Sequence, residues 1–298
     1  MESAGGLGQR DAVSRVAVVI LLSDLSLSRR LERAERDSNA RFVEARAAVS
    51  PDVGAGWIDV GGTYAMFDGV ESPCTQTFGF GLFTAPSSGD LDTIERFYAQ
   101  RSAPVFHEVS PIADPAHLEL LASRGYRPIE FTSVLYRSLD GDLAIAAPAD
   151  SVARPFQGRV RIVDADEVEL WAQTSAAGWS DVPGVGPFLV DLMRVAAVRP
   201  DARLFLAEIG GRAVAAGALT IDDGVALLAG ASTIPDARHR GAQLALLSAR
   251  LAYASQHGCD LAMMGALPGS GSQRNAERNG FRIAYTRTKW QLSTGTRA

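Results

Sequence analysis

Ala229-Gly-Ala-Ser-Thr-Ile-Pro-Asp-Ala-Arg-His-Arg-Gly-Ala-Gln-Leu-Ala-Leu-Leu247 is the stretch whose reading decides the fold. Val225 to Ala229 is a small apolar run suited to a buried strand, and Pro235 stops it. Apolar residues then recur at Leu244, Leu247, Leu251 and Ala254, the spacing of one helical face, and His257-Gly258 ends that helix. Arg238, His239, Arg240 and Gly241 lie between strand and helix. Free backbone N–H groups, a helix dipole and two guanidinium groups therefore meet at one point, which suits an anion and phosphate best. The plain alternative is a solvated loop with one capping glycine.

A second landmark follows. Cys259 to Leu267 reads as a buried strand, Pro268 to Ser272 as a Gly/Ser loop, and Gln273 to Asn279 as a short helix stopped by Gly280-Phe281. The order Arg238-x-x-Gly241-x-Gln243, preceded by a strand and Ile234-Pro235, resembles the acetyl-CoA pyrophosphate loop of the GCN5-related N-acetyltransferases (GNAT), with its Gln/Arg-x-x-Gly-x-Gly/Ala pattern. Gln243 departs from the last position, and its side chain narrows the approach. Asn275 and Gly280-Phe281 match the family's next block, but Ala276 stands where many members carry a tyrosine acid. The resemblance implies acetyl-CoA as cosubstrate, held by Ser232, Thr233, Ile234, Arg238, His239, Arg240, Gly241, Ala242, Gln243 and Asn275.

Composition bounds the other readings. The 298 residues suit two domains of moderate size, and 47% hydrophobic with 21% charged residues describes a soluble globular protein. A net charge of −5 argues against nucleic acid or an anionic membrane and for a small partner. Cys74 and Cys259 are far apart, lack disulfide or metal spacing, and fit a reducing cytoplasm. No metal is expected. Val16 to Leu22 is apolar after Arg15, but it is too short to span a membrane and Asp24 stands where a cleavage site would need small residues.

In chain order, Asp24 to Val49 carries helical apolar spacing, with Asp24 or Ser26 as cap, and the mixed charges of Arg29 to Asp37 read as a solvated face. Trp57 to Val60, Tyr64 to Phe67 and Gln76 to Phe83 read as a strand meander. A helix at Leu91 to Arg101, a strand at Val105 to Val109, a helix at Pro115 to Arg124 and a strand at Ile129 to Arg137 follow. The second half repeats the series, and Ala122-Ser-Arg-Gly125-Tyr-Arg127 aligns with Glu277-Arg-Asn-Gly280-Phe-Arg282, an offset of 155 residues. The fold class is α+β, with two tandem GNAT-like domains at residues 24–140 and 159–293, each a mostly antiparallel sheet flanked by helices. Asp140 to Gly158 is the expected linker. The first copy offers Thr84 to Asp90 where the second has its basic loop, so Asp90 would repel a pyrophosphate and that copy reads as degenerate.

The family's chemistry implies an N-acetyltransferase, in which an amine attacks the acetyl-CoA thioester within the C-terminal domain. That chemistry needs a path for the amine proton, donors for the thioester oxygen and an acid for the thiolate. Backbone N–H groups from Ala231 to Ile234 are the expected donors, where this strand splays from the one beginning at Cys259. Ser232 or Thr233 could position water, and Tyr285 is a candidate acid, with packing as its alternative. Asp222 and Asp223 read as a hairpin turn, His107 and His117 as structural, and Trp171 as core. Trp179 lies on a loop that commonly lines the acceptor side in this family, with half-buried packing as the alternative. The competing function is a CoA-binding or regulatory protein that has lost catalysis. A homodimer stays open.

Overall fold

Asp24 starts the first helix by accepting a hydrogen bond from the Leu27 N–H, at 2.9 Å, and the helix then runs unbroken as α1, Leu25–Val49. The computed structural model describes residues 23–140, 156–181 and 186–293. Val16 to Leu22 and most of the expected linker lie outside the described residues. Leu27, Leu31 and Ala34 are buried at helical spacing, as the pattern requires. The expected solvated charge run is not solvated: Glu32 and Arg36 are buried and no residue from Arg29 to Asp37 is fully exposed. The reason lies in sequence-distant partners, because α1 packs on strands from both halves of the chain. Arg30 pairs with Asp260, Arg41 with Asp222, Arg46 with Asp68 and Asp191, and Glu32 and Glu35 with Arg287.

Strands β1 (Gly56–Val60), β2 (Thr63–Phe67) and β3 (Gln76–Phe78) follow, then helix α2 (Ser88–Ala99), strand β4 (Phe106–Val109), helix α3 (Ala116–Ser123) and strand β5 (Tyr126–Ser138). The strand expected to reach Phe83 stops at Phe78, because Gly79 and Gly81 adopt φ of +87° and +70° and turn the chain. The second half comprises β6 (Arg159–Ile162), α4 (Val168–Ala177), α5 (Gly186–Ala197), β7 (Arg203–Ile209), β8 (Arg212–Asp222) and β9 (Val225–Thr233). It closes with α6 (Ala242–Gln256), β10 (Leu261–Ala266), α7 (Gly271–Arg278) and β11 (Arg282–Leu292). Asp223 and Gly224, both at positive φ, make the β8–β9 hairpin turn.

The eleven strands among the described residues form one sheet in the order β1-β2-β3-β4-β11-β5-β10-β9-β8-β7-β6. The first half pairs β1 with β2 and β2 with β3 antiparallel, then β3 with β4 parallel. The second half repeats that sequence of directions in β7, β8, β9 and β10. The last strands have crossed over. Strand β5 pairs antiparallel with β10, β11 pairs antiparallel with β4, and the two meet antiparallel at the centre. Each half thus borrows its final strand from the other, which removes the internal edges that separate sheets would leave unpaired.

Successive residues of β5 point to opposite faces of the sheet and so enter different cores. Leu135 packs with Ala226, Leu228, Leu246, Leu247 and Leu251 beneath α6. Val134 on the opposite face joins Leu27, Leu31, Leu227, Met263 and Tyr285 beneath α1. Helices α2 and α3 close the first half over Phe80, Leu91, Ile94, Tyr98 and Leu121.

Candidate functional site

Strands β9 and β10 pair in parallel over three positions only, Val225 with Leu261, Ala226 with Ala262 and Leu227 with Met263. Beyond Leu227 the two strands separate. Strand β9 ends in a single helical turn at Pro235–Ala237, Arg238 is extended, and His239 and Gly241 adopt φ of +61° and +83°. Gly241 is the N-cap of α6, and no side chain among the described residues caps that helix. Its first turn therefore presents backbone N–H groups and the positive end of the dipole beside the gap between the strands. The Gln243 side chain, the departure from the family pattern, turns back and donates to Thr233 Oγ1 at 2.7 Å.

The two arginines of the loop separate. Arg238 donates to both Asp181 carboxylate oxygens, at 2.6 and 2.8 Å, and to the carbonyls of Gly178 and Thr233. This guanidinium holds the Asp181 carboxyl below the usual carboxylate range. Arg240 and His239 are exposed, and Arg240 enters no ion pair among the described residues. Ala242 is buried in the core beneath α6.

Strand β9 bulges just before the loop. Its register against β8 jumps from Ala229↔Ala218 to Ser232↔Ala216, and Gly230 takes φ of +60° in the gap. Helix α4 grips this bulge. Trp171 Nε1 donates to the Gly217 carbonyl at 3.2 Å, Ser175 Oγ to the Gly230 carbonyl at 3.3 Å, and Ser232 Oγ to the Ser175 carbonyl at 2.7 Å. The Ile234 N–H donates to the Val214 carbonyl at 3.0 Å, so of the expected backbone donors this one is engaged elsewhere.

The hydroxyls expected to act in catalysis, Ser232, Thr233 and Tyr285, are all buried and hydrogen-bonded within the protein. Ser232 is tied to α4, and Tyr285 donates to Glu32 Oε1 at 2.9 Å beneath α1. Burial raises the Tyr285 hydroxyl well above its ordinary pKa. Asn275 is half-buried on α7, where its backbone carbonyl accepts from Asn279 Nδ2. Trp179 is 46% exposed on the turn after α4, two residues before Asp181. His107 is buried in the first half, with Nδ1 2.7 Å from Thr77 Oγ1. Sequence reading missed Asp181 and Ser175. Ser175 lay one helical turn past Trp171, a usable signal; Asp181 gave none.

The matching position of the first half is built otherwise. Ser87 and Asp90 form a capping box on α2, in which the Asp90 carboxylate accepts from the Ser87 N–H and Ser87 Oγ accepts from the Asp90 N–H. The end that is uncapped in α6 is closed in α2 by its own carboxylate.

Residues 152–270 match the acetyltransferase (GNAT) domain family. The match takes in β6 to β10 and with them the loop before α6. Among solved structures, a GCN5-related N-acetyltransferase from Kribbella flavida superposes with a TM-score of 0.58 at 20% identity, covering 84% of this chain and 96% of that one. A tandem GNAT protein from the clavulanic acid biosynthesis pathway gives a TM-score of 0.54 at 13% identity over 93% and 98%. A GCN5-related N-acetyltransferase from Sphaerobacter thermophilus gives 0.53 at 16% identity over 74% and 73%. These likenesses establish the fold. No curated protein matches the sequence.

Proposed function

We propose that this protein is an acetyl-CoA-dependent N-acetyltransferase that works through its second half. The observation that carries this reading is the uncapped N-terminus of α6 at Gly241, set beside the separation of β9 from β10. A diphosphate fits the first and an extended pantetheine arm the second. The N–H groups of Gly241, Ala242 and Gln243 and the Arg240 guanidinium hold the diphosphate, with His239 beside them. The edge of β9 from Gly230 to Thr233 offers backbone hydrogen bonds to the arm, and Asn275 lines the α7 side. Acetyl-CoA supplies an activated acetyl thioester when bound. Trp179 flanks the acceptor, and the net charge of −5 favours a small cationic amine in the cytoplasm.

In the first half the α2 N-terminus is closed by Asp90, so that half binds no CoA and serves the second as a wall. On this reading residues 24–140 and 159–293 are the two tandem units.

One observation favours a second reading, a CoA-binding protein without turnover: the Ser232 and Tyr285 hydroxyls are both committed inside the protein. Calorimetric titration of the whole protein with acetyl-CoA and with CoA, followed by thiol release against a panel of small amines, separates the two. Micromolar binding with amine-dependent thiol release supports the enzyme. Binding without release from any amine supports the silent protein, and no binding removes both.

A further inference from the structure

Arg250, on α6, is 4% exposed and faces no carboxylate among the described residues. Its Nη1 donates to the carbonyls of Ala218, at 3.1 Å, and Ala229, at 3.4 Å, and its Nε to the Leu246 carbonyl at 3.3 Å. Burial alone lowers its pKa, to about 10, so the guanidinium stays charged at neutral pH. A buried cation without a counter-ion is costly, and an apolar side chain of similar length would fill the same space at less cost. The protein also makes room for it: a Cβ on Gly217 would come within 3.2 Å of the guanidinium carbon.

The position of those acceptors gives the cation its use. Ala218 and Ala229 are the register pair at the edge of the β9 bulge, and one guanidinium nitrogen binds both carbonyls there. A trans peptide sets its N–H opposite its C=O. Holding the Ala229 carbonyl against β8 therefore turns the Gly230 N–H to the other edge of β9. That edge faces β10, and pairing with β10 has already ended at Leu227. A charge-assisted bond to the carbonyl also polarises the peptide and makes its N–H a stronger donor. Ser175 grips the next carbonyl, that of Gly230, from the opposite helix layer.

We infer that Arg250 is a positioning residue for acyl transfer, fixing the Ala229–Gly230 peptide so that the Gly230 N–H is presented to the thioester carbonyl oxygen of bound acetyl-CoA. This rests on the acetyl-CoA reading above.

The test uses the full chain, with calorimetry for CoA and infrared difference spectroscopy of bound acetyl-CoA labelled with carbon-13 at the thioester carbonyl. In the unmodified protein the carbonyl stretch falls to lower frequency on binding. Arg250→Met removes most of that shift while the CoA dissociation constant stays within about threefold, because the diphosphate loop is untouched. Arg250→Lys keeps the charge and restores much of the shift. A full shift in Arg250→Met, or equal losses in the Met and Lys variants, overturns the role, as does CoA affinity that falls together with the shift. If thermal melting shows that Arg250→Met does not fold, Gly217→Ala decides: crowding the guanidinium diminishes the shift, and an unchanged shift overturns the proposal. Failure of the unmodified protein to bind acetyl-CoA at all defeats the parent reading, a result distinct from binding with an unshifted carbonyl.

Discussion

Arg238 grips Asp181 through two hydrogen bonds of 2.6 and 2.8 Å, joining the loop after β9 to the turn after α4. The family pattern puts this arginine at the pyrophosphate, yet here its donors are spent on a carboxylate and two carbonyls. An incoming diphosphate must compete with Asp181 for it. Asp181→Asn removes the charge and relaxes the grip, so CoA affinity should rise about three- to tenfold and fall more steeply with added salt. Calorimetry at two ionic strengths checks this, and weaker binding would show that Arg238 serves the site by ordering the α4 turn instead.

Arg240 stands in the opposite situation, exposed and outside every ion pair among the described residues. Arg240→Glu places an anion at the positive end of α6 and should weaken CoA binding by at least about tenfold, more than Arg238→Ala does. Gly241→Ala tests the backbone instead. At φ of +83° a Cβ costs roughly 1–2 kcal/mol, and relief of that strain would turn the first N–H groups of α6 away from the ligand. Uncapping α2 with Ser87→Ala should cost about 1 kcal/mol of stability and bring no CoA binding, since the Asp90 charge remains.

Gly178 backs directly onto β9. A Cβ there would lie 2.4 Å from both Cβ and Oγ of Ser232 and 3.0 Å from the Thr233 nitrogen. Gly178→Ala therefore forces the end of α4 off the strand and breaks the bond from Ser232 Oγ to the Ser175 carbonyl. Overpacking of this kind costs about 1–3 kcal/mol, which in a protein of this size lowers the melting temperature by roughly 2–4 °C per kcal/mol. A variant that melts with the unmodified protein would show that α4 and β9 are loosely coupled.

The loop and helix of the candidate site were legible because they depend on local chemistry. Pro235 ends a strand, Gly241 permits a positive φ, and Leu247, Leu251 and Ala254 mark a buried face, although Leu244, read onto the same face, is only half-buried. The repeat between Gly125 and Gly280 likewise announced two similar arrays of strands. The exchange of β5 and β11 could not be read, because either strand satisfies the same alternating pattern beside β10 and the choice is made by long-range packing. The same limit hid the burial of Glu32 and Arg36. A mixed-charge helix reads as solvated until partners such as Arg287, some 250 residues away, are placed against it. The grip of Arg238 on Asp181 is another such pairing, joining residues whose spacing carries no periodic signal.

His107 gives the first half a pH dependence of its own. The ring is fully buried between Phe80 and Tyr126, with Nδ1 at Thr77 Oγ1 and Nε2 without a hydrogen-bond partner among the described residues. Burial pushes its pKa down to about 3 from an ordinary value near 6.5. The folded state thus keeps His107 neutral across a range in which the unfolded chain protonates it, and the unfolded chain gains stability as pH falls below 6.5. Between pH 7 and pH 5 this one group should remove about 2 kcal/mol of folding stability, with further loss down to about pH 3. His107→Gln abolishes the titration, so its denaturant midpoint should change less between pH 7 and pH 5 than that of the unmodified protein, even though the variant is less stable at pH 7. Parallel midpoint curves for the two proteins would mean that the ring gains a proton without leaving its pocket.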